Sequence, residues 1–251
     1  KHQETENHTF MIETKHLTKK FGDFVAVDDL NLSIEKGELF SLLGLNGAGK
    51  TTTIKMLSCL ILPTSGTATI LNKDLLEDSQ YIKQRINVSP QETAIARNLN
   101  VQENLEMIAG IYGISKDMIY DKVEEMITVF SLSEVRKKKA RLLSGGMQRR
   151  LSIAMALITD PEILFLDEPT LGLDVIARRE LWSNIKKLKE KTTIILTTHY
   201  LEEAEALSDR VAIIQKGRIK AVGTVAEILN QTNTNKLEDA FVLLNEEEHT
   251  I

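Results

Sequence analysis

The chain has 251 residues, a net charge of −5 and a hydrophobic share of 42%. With a pI near 5.7, no sequence-wide attraction to nucleic acid or anionic lipid is expected. Cys59 is the single cysteine, which excludes an internal disulfide, and no apolar run approaches the roughly 18 residues a membrane helix needs. Work at a membrane is therefore expected to need a separate membrane partner.

Residues 1–9 are polar and carry His2 and His8; they read as a solvated, flexible end without a leader pattern rather than as a metal site. Short apolar runs at 10–12, 24–27 and 30–34, separated by Gly-bearing turns, predict a small antiparallel sheet. Phe21 stands beside Gly22 in one of these turns. Its ring is either exposed, where it can stack on a base, or tucked into the core, and pattern alone leaves both open.

The apolar run 39–43 leads into Gly44-Leu45-Asn46-Gly47-Ala48-Gly49-Lys50-Thr51-Thr52, and a helix is expected from there to residue 61. Strand, glycine-rich loop and helix form the context of a phosphate-binding P-loop. Glycines let successive backbone N–H groups converge on an anion, the helix N-terminus adds partial positive charge, and Lys50 adds a full one. The Thr51 hydroxyl is then placed to ligate Mg²⁺ beside the β- and γ-phosphate oxygens of ATP.

Pro63-Thr64-Ser65-Gly66 is a turn, and strands are expected at 67–71 and 85–89, the second running into Pro90-Gln91. Strand signals then vanish, and helical spacing at 101–111 and 116–130 predicts an inserted α-helical subdomain at 92–158. The basic run from Arg136 to Arg141 reads as a solvated helix end. Ser144 is a suitable N-cap for a helix through residue 157, and Gly145 and Gly146 leave its first N–H groups uncovered. That start is either a second anion site or an ordinary cap.

Ile163-Leu164-Phe165-Leu166-Asp167-Glu168 reads as a buried parallel strand with two carboxylates at the ligand edge of a sheet. Asp167 is suited to hold Mg²⁺ in the manner of a Walker-B aspartate, and Glu168 to accept a proton from an attacking water. A loop ending at Asp174 precedes a helix at 176–189, and a β-branched strand at 192–198 delivers His199 to its C-terminal end. A strand at 211–214, a turn at 216–218 and helices at 225–230 and 237–244 follow, and residues 245–251 form a second flexible end. The pattern is α/β: a RecA-like P-loop core from 1–91 and 159–244, an N-terminal antiparallel β part, and the helical insertion.

The order P-loop, Pro90-Gln91, Leu143-Ser144-Gly145-Gly146, Asp167-Glu168, Asp174, His199 resembles the nucleotide-binding subunit of ATP-binding cassette (ABC) transporters over residues 11–244. The resemblance implies that Phe21 lies against adenine, where tyrosine is commoner. It implies that residues 44–52 hold the phosphates, with Lys50 on β/γ and Thr51, Gln91 and Asp167 around Mg²⁺. Glu168 is implied as general base, with His199 and Gln91 completing the catalytic set. Ser144, Gly145 and Gly146 are implied to complete the ATP site of an opposed copy in a head-to-tail dimer, and Asp174 to reach across to it.

Met147 with Gln148-Arg149-Arg150, the run after Thr198-His199, and Leu237-Glu238-Asp239-Ala240-Phe241 look like the exporter branch paired with ABC-2-type membrane subunits. The expectation is thus an ATPase at the cytoplasmic face of a membrane, driving export through a separate polytopic permease. An importer-type cassette is the alternative. A non-transport ABC ATPase acting on DNA or ribosomes is the rival. Only about a hundred residues separate the P-loop from the Ser144-Gly145-Gly146 signature, too few for a chromosome-maintenance coiled coil, and one cassette is not the paired arrangement of the translation type.

Overall fold

The computed structural model describes residues 10–189 and 191–246. The expected flexible ends, with His2 and His8, lie outside the described residues except for 245 and 246, which continue the last helix.

The chain opens with β1 (Phe10–Phe21) and β2 (Phe24–Glu35), then β3 (Leu39–Leu43) and α1 (Lys50–Leu57). Next come β4 (Ser65–Ile70), β5 (Lys73–Asp74), α2 (Ser79–Lys83) and β6 (Ile86–Ser89). Three helices follow: α3 (Val101–Ile111), α4 (Lys116–Val129) and α5 (Gly145–Leu157). The remainder is β7 (Ile163–Asp167), α6 (Val175–Leu188), β8 (Thr193–Thr198), α7 (Leu201–Leu207), β9 (Arg210–Gln215), β10 (Arg218–Gly223), α8 (Val225–Thr232) and α9 (Leu237–Glu246).

Two sheets result. The antiparallel one has the order β2-β1-β4-β5, and the other has the order β10-β9-β3-β8-β7-β6. In the second, β9-β3-β8-β7-β6 are all parallel and β10 alone turns back. Strands β3, β7 and β8 are buried at every position, which fits parallel strands covered on both faces. Their period of two divides the core. Ile163, Phe165, Phe40 and Ile195 face α1 and the antiparallel sheet, whereas Leu164, Leu166, Ile194 and Leu196 face the helices from Val101 onward. Helix α5 packs on β6 and β7, so the inserted helices share a core with the sheet.

Several expectations are corrected. The three short N-terminal runs are two 12-residue strands, whose alternation is broken in sequence by β-bulges with His16 and Asp29 in left-handed conformation. Helix α1 stops at Leu57, four residues short of the expected end; the Ser58 hydroxyl bonds the Ile54 carbonyl at 2.7 Å and Cys59 turns to φ 59°. The turn at Lys216-Gly217 has φ of 47° and 78°, a geometry that returns the chain at once, so the unexpected β10 pairs with β9. Within the basic run, Arg136 pairs with Glu124 at 2.6 Å and Lys137 bonds Gln102 at 3.0 Å, so part of it is tied down locally.

Candidate functional site

The C-terminal ends of β3, β6, β7 and β8 meet at one edge of the parallel sheet and deliver the P-loop, Gln91, Asp167-Glu168 and His199 to it. This is where open parallel sheets bind ligands. A cleft of about 350 Å³ is lined there by residues 46–52, Gln91, Glu168 and Leu171, with Phe24 and Ala26 from the hairpin.

The loop is held from below. Gly44 N–H donates to the Thr198 carbonyl at 3.2 Å, and Gly217 N–H to the Ala48 carbonyl at 2.8 Å. Glycine is required at two positions: a Cβ on Gly44 would lie 2.5 Å from the Ile214 carbonyl oxygen, and Gly49 has φ 105°. Lys50 runs back beneath the loop, 5% exposed, and donates to the Gly44 and Leu45 carbonyls at 2.5 and 3.2 Å.

Glu168 is the centre of the arrangement. Its Oε1 is 3.1 Å from Lys50 Nζ, and its Oε2 is 2.9 Å from His199 Nδ1. The side chain is buried, and the backbone takes φ 48°, a costly conformation for a non-glycine residue and one that collects at functional sites. Thr197 fixes it: Glu168 N–H donates to the Thr197 hydroxyl at 2.9 Å, and that hydroxyl donates to Asp167 Oδ1 at 2.6 Å. The Thr51 hydroxyl reaches Asp167 Oδ2 at 2.9 Å. The Thr51 hydroxyl and the Asp167 carboxylate are oxygen donors of the kind Mg²⁺ takes, and Gln91 lines the same cleft as Thr51.

Other expected residues stand apart. Phe21 is exposed, and Phe24, its cross-strand partner, lines the cleft instead. Ser144 caps α5 by accepting from Met147 N–H at 3.2 Å, and Gly145 and Gly146 face Leu173 and Ala177 at the start of α6. None of the three lines the cleft among the described residues. Asp174 caps α6, accepting from Ala177 N–H at 2.8 Å.

Three contributors are invisible in the linear pattern. Thr197 reads as strand filler until the register sets it opposite Asp167. Phe24 lacks the neighbouring glycine that marks Phe21. Arg149 of α5 is 4% exposed and donates to the Pro90 carbonyl at 2.7 Å and to the Gln91 carbonyl, so α5 holds the Gln91 loop. Burial lowers its guanidinium pKa, and the Asp167 charge opposes that.

Residues 27–171 match the family model described as ABC transporter. The chain is 40% identical over 240 residues to the probable multidrug ABC transporter ATP-binding protein YbhF of Escherichia coli, covering 93% of this chain and 41% of that protein. It is 40% identical over 230 residues to the daunorubicin/doxorubicin resistance ATP-binding protein DrrA of Streptomyces peucetius, covering 91% and 70%. The chain thus spans less than half the length of YbhF. Among solved structures, the ATP-binding cassette MJ0796, a dimer in a post-hydrolysis state with ADP and Pi, superposes with a TM-score of 0.76 at 27% identity, over 86% of this chain and 99% of that one. With a P-loop, a strand-end carboxylate pair and a strand-end histidine at one sheet edge, this chain belongs to the ABC transporter family.

Proposed function

We propose that the chain binds and hydrolyses MgATP as a head-to-tail pair with a second copy or a homologous cassette, driving export through a separate membrane permease at the cytoplasmic face of a membrane. The observation that carries the reading is Glu168 seated between Lys50 and His199, beside the linked Thr51 and Asp167. The γ-phosphate of ATP competes with Glu168 for the Lys50 ammonium, which leaves the carboxylate free to take a proton from the attacking water. Backbone N–H groups of residues 46–52 stabilise the charge that develops, and His199 holds Glu168 in place. Thr51 and Asp167, with Gln91, are the groups that would hold Mg²⁺, which neutralises phosphate charge when bound. The resemblance gives the adenine contact to Phe21, whose cross-strand partner Phe24 is the ring that lines the cleft.

The dimer is supported by the signature start, which faces α6 and lies away from its own cleft, and by the dimeric state of MJ0796. Export is supported by the drug-resistance and multidrug names of DrrA and YbhF. The deciding experiment measures phosphate release and oligomeric state of Glu168→Gln with ATP. Hydrolysis is expected to fall at least ~100-fold, with ATP affinity kept and a dimer accumulating. Near-normal turnover would remove Glu168 as the base. Affinity capture from detergent-solubilised membranes with the same variant should recover a polytopic protein; recovery of ribosomal or DNA-associated proteins alone would favour a non-transport role.

A further inference from the structure

Glu203 on α7 is fully buried, and the nucleotide reading gives it no role. Its Oε1 accepts hydrogen bonds from the Thr170 hydroxyl at 2.8 Å and from Trp182 Nε1–H at 2.9 Å, and the Thr198 hydroxyl also favours its charged form. A carboxyl held this way costs folding free energy, so what it fastens matters.

It fastens three segments of the site. Thr170, itself fully buried, lies two residues beyond Glu168 in a turn where Leu171 N–H donates to the Glu168 carbonyl at 3.2 Å. Trp182 belongs to α6, and Glu203 follows His199 by four residues. A second link joins α6 to the same place: the Arg178 guanidinium lies 4.3 Å from the centre of the Tyr200 ring, which in turn is 4.2 Å from the His199 ring. Arg178 and Trp182 are one turn apart and so share a face of α6. The far end of that helix carries Asp174 and packs Ala177 against Gly146.

We propose that Glu203 is a positioning residue: with Thr170 and Trp182 it clamps the Glu168 turn, the His199 segment and α6 into one body, so that nucleotide in the cleft is felt at α6. This rests on the ATP reading above. The clamp touches none of the reacting groups and acts through Glu168 and His199. A plain packing role would instead leave turnover and nucleotide response untouched by loss of a single hydrogen bond.

The chain supplies its own probe, because Trp182 is its only tryptophan. In the Glu168→Gln form, MgATP should change Trp182 emission saturably, while a fluorescently labelled ATP reports binding separately. Thr170→Val removes one donor and should abolish the emission change. In the otherwise native chain it should lower kcat ~10-fold with ATP affinity within ~2-fold. Glu203→Gln keeps an oxygen that accepts both bonds and should retain the response. If Thr170→Val does not fold, Trp182→Phe, which deletes the other donor, should show the same kcat loss. Emission unmoved while labelled ATP binds, or donor deletions with native kcat, would overturn the clamp. Failure of the native chain to bind labelled ATP at all would overturn the ATP reading instead.

Discussion

Lys50 and Glu168 are each about 5% exposed and face one another across the cleft floor. Withdrawing such charges from water is tolerable only because each is paired and further bonded, Lys50 to two carbonyls and Glu168 to His199. Glu203 is in a different position. Burial raises its pKa above the usual carboxylate range, its hydrogen bonds oppose this, and the Glu168 charge adds to it. The folded chain therefore binds this proton more tightly than the unfolded one, and Glu203 subtracts stability as pH rises from the usual carboxylate range through its raised pKa. Glu203→Gln carries no such penalty. Its melting temperature relative to the native chain should be more favourable at pH 8 than at pH 5, and an offset that does not change with pH would show that Glu203 does not titrate in this way.

Among the elements, α5 combines two duties. Its N-terminus presents the Ser144-capped signature, and one turn later Arg149 reaches back to the Gln91 loop. A charged group donating to two carbonyls fixes that loop more firmly than β6 alone, which ends at Ser89. Arg149→Leu should cost roughly 1–3 kcal/mol in chemical denaturation and should also reduce turnover at saturating ATP. Reduced stability with native turnover would show that Gln91 does not depend on this tether. Helix α3 is anchored as closely: its capping box joins Asn100 and Glu103, and the buried Asn104 amide bonds Ala96, Leu99 and Asn100. That anchoring explains why the 101–111 boundaries were readable from local pattern.

For the molecule as a whole, Ser144, Gly145 and Gly146 do not line the P-loop cleft among the described residues, and in the head-to-tail pair proposed above a complete site draws on two copies. Mixing is the direct test. Lys50→Ala removes the phosphate cradle's charge and keeps the signature; Ser144→Arg blocks the signature and keeps the cradle. Each alone should be inactive, and an equimolar mixture should regain up to about a quarter of native ATPase activity, since half of random pairs contain one intact site of two. No recovery in mixtures that do form mixed dimers would place the signature's role within its own chain.

Local chemistry was legible because it depends on neighbours in sequence. The glycine-rich turn between strand and helix is read from adjacent residues, as are the largely apolar run at 39–43 and the apolar run at 163–166, which fit buried parallel strands. The bulged strands β1 and β2 and the return strand β10 were less legible, because a bulge shifts the period-two pattern and a tight turn carries little signal of the strand beyond it. The contacts that position the site join residues far apart: Thr197 with Asp167 across 30 residues, Glu203 with Thr170 across 33, and Arg149 with Pro90 across 59. They depend on strand register and helix packing. So the sequence by itself determined which groups gather at the sheet edge: Lys50, Thr51, Asp167, Glu168 and His199. Only the tertiary structure decided that Phe24 lines the cleft, that Arg149 bonds the Gln91 loop, and that the buried Glu203 accepts from both Thr170 and Trp182 of α6.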